Sequence, residues 1–248
     1  MKKLAVFLLS FALAPALSGS GLPDPAPFDA VLTAGARNGG FDYRGATGQE
    51  KKRLAAYLAN LGDARPAEMS ADGKKAFYIN AYNAMAISIV LDRYPIQSIR
   101  DVEGAFGKID RKIGGEILSL DAIENKLRAL GDPRIHFAIV CASKSCPPLA
   151  ARAYTEESVS AALDRQARLF VNDPKRNAID RAKDTIALSK IFDWNRKEFE
   201  RESGSVTKSV ARFVEDRETA AWLASTSRKP GFLEYDWSLN QTESPRAP

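Results

Sequence analysis

The spacing of apolar positions predicts helices along much of the chain. Residues 48–61 carry Leu54, Tyr57, Leu58 and Leu61 at helical spacing and charged residues between them, and Gly62 follows as a stop. The same reasoning places a helix between a Ser119 cap and Leu130, and further helices over 156–171, 193–203, 206–216 and 218–224.

The segment from Lys74 to Arg93 is apolar nearly all round, and Ser70 precedes it as a cap. A helix with no polar face is stable only where the rest of the fold encloses it. We therefore expect residues 74–93 to form a buried central helix.

Shorter apolar runs predict strands. Residues 112–118 contain Gly114-Gly115 as a turn or bulge, residues 135–141 indicate a buried strand, and 177–180 with 185–188 indicate a hairpin. Residues 231–237 predict a last strand. The fold class predicted is α+β, a single domain with more helix than strand and a small, mostly antiparallel sheet.

The first residues have the pattern of a secretory signal. Lys2 and Lys3 precede an uncharged apolar run over 4–13 and small residues over 14–20, and this run is shorter than the ~20 residues of a spanning helix. We expect a signal peptide over 1–18, a Pro/Gly-rich leader over 19–47, a folded domain over 48–241 and a disordered tail over 242–248. The mature protein would be periplasmic or secreted, with no integral membrane segment.

Charge and composition narrow the possible partners. Lys and Arg number 36 against 31 Asp and Glu, for a net charge of +5, and acids interleave with the basic clusters at 50–53 and 108–112. This distribution predicts no nucleic-acid partner. With one histidine, a histidine-rich metal site is excluded, and Gly114-Gly115 lacks the context of a phosphate-binding loop. No metal and no cofactor is predicted.

Residues that could carry chemistry cluster between 124 and 146. Cys141, Cys146, His136 and Glu124 are the components of an activated-thiolate site, in which histidine accepts the thiol proton and a carboxylate orients the imidazole. On a straight strand over 135–141, however, His136 and Cys141 face opposite sides about 16 Å apart.

A contact with His136 therefore requires the chain to bend. A loop over 142–145 that doubles back would bring Cys146 to His136. A strand that ended early would instead allow Cys141 to reach His136. The same loop would allow a disulfide between Cys141 and Cys146, which export favours. The sequence leaves both arrangements open.

Asn80 and Asn83 lie three residues apart on the central helix, hence on one face. Buried amides need hydrogen-bond partners. Either they tie loop backbone to the core, or one of them donates to a substrate carbonyl or oxyanion.

Four ordered motifs resemble one family. The segments FYINAYNAM (77–85), IGGEILSLDAIENKLR (113–128), HFAIVCASKSCPPLAARAYT (136–155) and YDWSLN (235–240) are similar to the domain-of-unknown-function family 547, over about residues 48–241. The resemblance implies a papain-like or transglutaminase-like thiol enzyme with Cys141 as nucleophile, His136 as base and Glu124 as the orienting carboxylate. Asn125 stands where many relatives have a second histidine.

Two functions follow. The first is a cysteine-dependent hydrolase or transferase acting on an amide or thioester of a small-molecule or peptide substrate, with Asn80 or Asn83 near the oxyanion. The second is a non-catalytic binding or scaffold domain of the cell envelope, with a Cys141–Cys146 disulfide and His136 in the core. The sequence specifies neither the substrate nor the oligomeric state.

Overall fold

The structure is a computed structural model, and it describes residues 21–242. The predicted signal peptide over 1–18 lies outside the described residues, as does nearly all of the predicted tail. Helices account for about 50% of the described residues, and the strands form small separate sheets. The α+β class with a predominance of helix is therefore confirmed.

The α-helices and strands alternate in short groups. The α-helices are α1 (Ala26–Gly35), α2 (Gly48–Asp63), α3 (Ala71–Arg93), α4 (Leu120–Arg128), α5 (Val159–Val171), α6 (Lys190–Trp194), α7 (Arg196–Ser203), α8 (Val206–Ala211) and α9 (Arg217–Ser225). The strands are β1 (Ala36–Arg37), β2 (Gly40–Phe41), β3 (Arg111–Ile113), β4 (Glu116–Leu118), β5 (Ala178–Asp180), β6 (Thr185–Leu188) and β7 (Gly231–Phe232). Short 3-10 helices cover Pro66–Glu68, Ile99–Asp101 and Pro133–Phe137.

Helix α3 is the predicted central helix. The Ser70 hydroxyl accepts a hydrogen bond from the Gly73 amide at 3.0 Å and caps its first turn. From Ala76 to Leu91 every residue except Ser88 is buried, and α2, α4 and α5 pack around it. Its apolar circumference is thus covered on all sides, as the sequence predicted.

Helix α1 lies within the segment that composition assigned to a leader. Phe28 is 1% exposed and its ring stacks on Tyr57 of α2 at 5.1 Å between centroids. Asp29 Oδ1 accepts a hydrogen bond from the Ala153 amide at 2.6 Å. These contacts make α1 a part of the main core.

Between residues 21 and 242 the strands form three sheets, where the sequence predicted a single one. Strands β3 and β4 are an antiparallel hairpin whose turn holds Gly114 and Gly115 at φ 61° and 82°, a conformation that glycine adopts without steric cost. Strands β5 and β6 form the second predicted hairpin, and β7 adds to β6 in parallel. The last strand is shorter than predicted, since β7 ends at Phe232.

The predicted strand over 135–141 is wrong. The chain there forms the 3-10 helix Pro133–Phe137 and then continues without regular structure to Cys141. Asp132 caps this turn, with its Oδ1 3.1 Å from the Arg134 amide nitrogen, and Pro133 opens it. A fully buried helical turn gives the same apolar run as a buried strand, so the odd spacing between His136 and Cys141 no longer decides which side each one faces.

A second hydrophobic cluster forms where this turn meets the C-terminal helices. Phe137 packs its ring against Phe170, Phe192 and Phe199 at 5.3–5.6 Å between centroids. This contact carries His136, the neighbour of Phe137, toward α7. Among residues 21–242 no helix has the length and apolar character needed to cross a bilayer.

Candidate functional site

The two cysteines face each other across a tight loop. Their Sγ atoms are 2.7 Å apart and both are free thiols, whereas bonded sulfurs lie about 2.05 Å apart. The predicted disulfide is therefore absent, although the chain does double back as that prediction required. Ala142 begins the turn at φ 62°, a left-handed conformation unusual for a residue with a side chain.

Polar groups converge on the Cys146 sulfur. The Cys141 amide donates a hydrogen bond to Cys146 Sγ at 3.0 Å, and the Ser143 hydroxyl lies 3.3 Å from the same atom. The Tyr235 hydroxyl lies 3.3 Å from Cys146 Sγ and 3.5 Å from Cys141 Sγ. This environment suits a sulfur that carries negative charge.

The pKa values of the two thiols move in opposite directions. Burial raises the pKa of Cys146, but hydrogen bonds from Cys141, Ser143 and Tyr235 outweigh it and lower that pKa to about 6. The hydrogen bond to Cys146, together with burial and the Cys146 charge, raises the pKa of Cys141 well above its usual value. At neutral pH the pair therefore holds one proton and one negative charge.

The loop that carries the thiols is held by its backbone. The Arg176 guanidinium donates from Nε to the Cys146 carbonyl at 2.8 Å. The Lys144 amide donates to the Ser238 carbonyl at 2.8 Å, and the Asn240 amide donates to the Ala142 carbonyl at 2.9 Å. The C-terminal segment thus fixes the loop against the domain.

Asn83 of α3 binds the chain just before Cys141. Its Nδ2 donates to the Ala138 carbonyl at 2.9 Å, and its Oδ1 accepts from the Val140 amide at 2.8 Å. Asn80 binds Tyr154 in the same way, at 2.8 and 2.9 Å. Both amides therefore tie loop backbone to the core, which is the first of the two predicted roles, and no hydrogen bond joins either of them to a sulfur in the described part of the chain.

His136 faces carboxylates with both ring nitrogens. Its Nε2 is 2.9 Å from Glu198 Oε2, and its Nδ1 is 3.9 Å from Glu124 Oε1. The side chain is 2% exposed. Glu124, predicted to orient the imidazole, thus lies near His136 but beyond hydrogen-bond distance, and Glu198 is the hydrogen-bonded carboxylate. Within residues 21–242 the structure shows no hydrogen bond between His136 and either cysteine.

Arg128 connects the two carboxylates. Its Nη1 lies 2.6 Å from Glu198, and its Nη2 lies 2.7 Å from Glu124 and 2.5 Å from Asn195 Oδ1. Burial raises the pKa of Glu198, but the hydrogen bond to His136 and the charges of His136 and Arg128 outweigh it and lower that pKa. The network joins the Pro133–Phe137 turn to α4 and α7.

The sequence assigned no role to several residues of these two clusters, among them Ser143, Tyr235, Arg128 and Glu198. Ser143 lies between the two cysteines in the sequence, and Tyr235 lies within the YDWSLN motif. Both belong to predicted motifs, but no role was predicted for either. Arg128 follows Glu124 by four residues, a spacing typical of a helical ion pair. Glu198 is 62 residues from His136, and no local pattern links the two.

Two cavities in the described structure are lined by residues other than the cysteines. One of about 650 Å³ lies beside the β3–β4 turn, next to Tyr78 and Glu116. Another of about 600 Å³ lies against the cysteine loop, where Lys144 and Ser145 line it. In the described part of the chain, no three His, Cys, Asp or Glu side chains are placed to hold a metal ion.

A comparison with family models supports the resemblance. The model of the family described as protein of unknown function, DUF547, matches residues 66–171, which confirms over that segment what the motifs predicted. The matched segment contains all six candidate residues, whereas Glu198 and Tyr235 lie beyond it. Neither the curated proteins nor the solved structures contain a significant match to this chain.

The two hydrogen bonds from Asn83 to Ala138 and Val140, which we call the Asn83 clamp, give a direct test of how the loop is held. Asn83→Ala leaves a buried carbonyl and a buried amide without partners, so we expect the free energy of unfolding to fall by about 2–4 kcal/mol. Urea denaturation measures it. Ser88→Ala, at a half-buried position of the same helix, should change stability by only about 0.5 kcal/mol. Equal stabilities of the two variants would contradict the clamp.

The lowered pKa of Glu198 predicts a pH-dependent stability. A carboxylate whose pKa is lower in the folded state stabilises the fold above its unfolded pKa of about 4.3, and this contribution disappears as the pH falls through the folded pKa. Glu198→Gln should therefore destabilise the protein by about 1.5–3 kcal/mol near neutrality, with the difference shrinking below about pH 4.

Denaturation curves at several pH values check this expectation. The control is Glu103→Gln. The Glu103 side chain is 93% exposed, so this substitution should leave the free energy of unfolding unchanged at every pH. A Glu198→Gln difference that stays constant down to acid unfolding would rule out the charged interaction.

Proposed function

We propose that this chain is an exported, cysteine-dependent hydrolase or transferase acting on amide or thioester bonds. The observation that carries the proposal is the thiol pair itself. A buried sulfur surrounded by hydrogen-bond donors lies 2.7 Å from a second, more accessible sulfur. A thiolate at neutral pH is the form in which cysteine acts as a nucleophile or as a base.

Accessibility assigns the two roles. Cys141 is partly exposed, while Cys146 is 2% exposed and lies beneath it. Cys141 therefore attacks the carbonyl carbon, and its proton passes to the Cys146 sulfur. Collapse of the tetrahedral intermediate expels the amine or thiol, which takes that proton from Cys146 and leaves a thioester on Cys141.

The second half of the reaction uses the same proton acceptor. Water, or another nucleophile in a transferase, attacks the thioester and gives its proton to Cys146. The Cys141 sulfur leaves and recovers that proton, so the pair returns to one thiol and one thiolate. The proton balance closes within the pair.

This proposal changes the role predicted for His136. Its nitrogens face Glu198 and Glu124, so Cys146 replaces it as the base. The relation to papain-like and transglutaminase-like enzymes remains part of the proposal. Its support is that Asn83 of the buried central helix anchors the segment that leads to the reactive cysteine.

A non-catalytic binding domain of the envelope is the second candidate. The engagement of His136 by two carboxylates favours it, because a histidine held in this way serves the packing of the domain. On this reading the thiols would accept no acyl group.

Alkylation with iodoacetamide tests the assignment of the two sulfurs. In the native protein we expect one site, Cys141, to react with an apparent pKa near the value of about 6 that belongs to Cys146. Cys146→Ser should raise that apparent pKa and slow the reaction at neutral pH by about tenfold, because Cys141 then has no neighbouring thiolate to accept its proton. Cys141→Ser should abolish rapid labelling.

Mass spectrometry after labelling reads out both the site and the rate. Native thiols that fail to react, or an unchanged profile in Cys146→Ser, would refute the shared-proton assignment. A panel of acyl thioesters then separates the two functions. An acyl adduct on Cys141 supports the enzyme, and its absence from a protein that alkylates normally favours the binding domain.

A further inference from the structure

An exposed aromatic cluster lies beside the thiols. We call Phe106, Trp194, Tyr235 and Trp237 the aromatic wall. Trp194 is 51% exposed, and its ring centroid lies 4.7 Å from that of Tyr235 and 5.9 Å from that of Trp237. The ring centroids of Tyr235 and Trp237 are 4.8 Å apart, and Phe106 packs edge-on against Trp237 with 6.1 Å between centroids. A solvent-facing surface of this kind is typical of a binding site.

Tyr235 links the aromatic wall to the reactive sulfurs. Its ring belongs to the wall, while its hydroxyl lies 3.3 and 3.5 Å from the two Sγ atoms. A group that lies along the wall therefore ends next to Cys141.

A pair of carboxylates adjoins the same place. Asp121 and Glu124 lie three residues apart on one face of α4, and the Asp121 amide donates to the Phe106 carbonyl at 2.9 Å. Glu124 is paired with Arg128. Asp121, by contrast, has no ion-pair partner among residues 21–242.

The aromatic wall joins these two features. Its Tyr235 end contacts the thiols, and its Phe106 end is hydrogen-bonded through the Phe106 carbonyl to Asp121 at the start of α4. Burial and the charges of Cys141, Glu124, Cys146 and Asp121 also raise the pKa of the Tyr82 hydroxyl.

This combination selects a cationic group. Aromatic faces attract cations, and the Arg100 guanidinium already lies 5.1 Å from the Trp237 centroid. Asp121 adds an unpaired negative charge at the end of the wall next to Phe106. We propose that the site takes a peptide with a lysine or arginine side chain, whose stem packs on the aromatic wall and whose charge lies at Asp121.

The inference rests on the proposed function in one respect, because the bound peptide is a substrate only if its scissile carbonyl lies at Cys141. Binding of the peptide does not require the reaction to occur. The test therefore uses the full chain with Cys141→Ser, so a failure of the catalytic proposal leaves the binding result readable.

The experiment compares two blocked peptides of equal length, one with lysine and one with norleucine at the same position. Tryptophan fluorescence and the indole N–H signals of Trp194 and Trp237 in NMR spectra report binding. We expect the lysine peptide to bind at least about fivefold more tightly, as a cation–π contact plus one ion pair implies. Added salt should reduce that preference.

Variants locate the surface. Trp194→Ala and Asp121→Asn should each weaken lysine-peptide binding by about threefold or more. Leu169→Ala on α5, where the side chain is 58% exposed, is the matched control and should leave binding unchanged. Thermal melting of each variant verifies that the fold is intact.

Three results would overturn the proposal. The first is equal binding of the lysine and norleucine peptides, and the second is tight binding unaffected by Trp194→Ala and Asp121→Asn. The third is binding of a neutral oligosaccharide of N-acetylglucosamine in place of the lysine peptide, which would make the aromatic wall a sugar platform.

Discussion

The Asn83 side chain is the interaction on which the candidate site depends. It is one of two amide side chains in the buried part of α3, and its NH₂ group and carbonyl oxygen bind the Ala138 carbonyl and the Val140 amide. Within residues 21–242 the Ala138 carbonyl and the Val140 amide have no strand or helix partner. A buried backbone without ladder hydrogen bonds is stable only if side chains replace the ladder. Asn83 supplies that replacement, so the chain reaches Cys141 in an irregular path that a strand would not allow.

The irregular path is what brings two sulfurs into contact. Once the chain leaves the Asn83 clamp, Ala142 turns it back in a left-handed conformation, and the C-terminal segment holds the returning limb through Ser238 and Asn240. Left-handed backbone at a residue with a side chain persists only where its surroundings enforce it, and such positions concentrate at functional sites. Here the enforced turn places one sulfur beneath the other, with Tyr235 and Ser143 as donors.

Negative charge is distributed between two neighbouring clusters. The thiol pair holds one charge among neutral donors, whereas His136 lies in a separate network with Glu198, Glu124 and Arg128. Both clusters border α4, since Glu124 contributes to the pKa of Tyr82 near the thiols and also approaches His136. In the proposed mechanism the proton transfer stays within the thiol pair, and His136 belongs to the second cluster.

Periodicity predicted most of the helices well because amphipathic spacing and caps are local signals. Helix α2 and the Ser70 and Ser119 caps lie where the sequence placed them, and so do the two hairpins. The failure over 135–141 has a physical cause, since burial on all sides removes the polar positions that distinguish a strand from a helical turn. The site was predictable as a set of residues near Cys141 and His136. The hydrogen-bond partners of those residues were not predictable, because Glu198 and Tyr235 come from distant parts of the chain.

The most direct test of the account is a thiolate titration of the native protein, followed by its ultraviolet absorbance. The shared-proton pair predicts that one thiolate forms with a pKa of about 6, while the second thiol stays protonated well above its ordinary range. Cys146→Ser should remove the low step. A native protein in which no thiolate forms until the ordinary thiol range of about 8.5 would contradict the account.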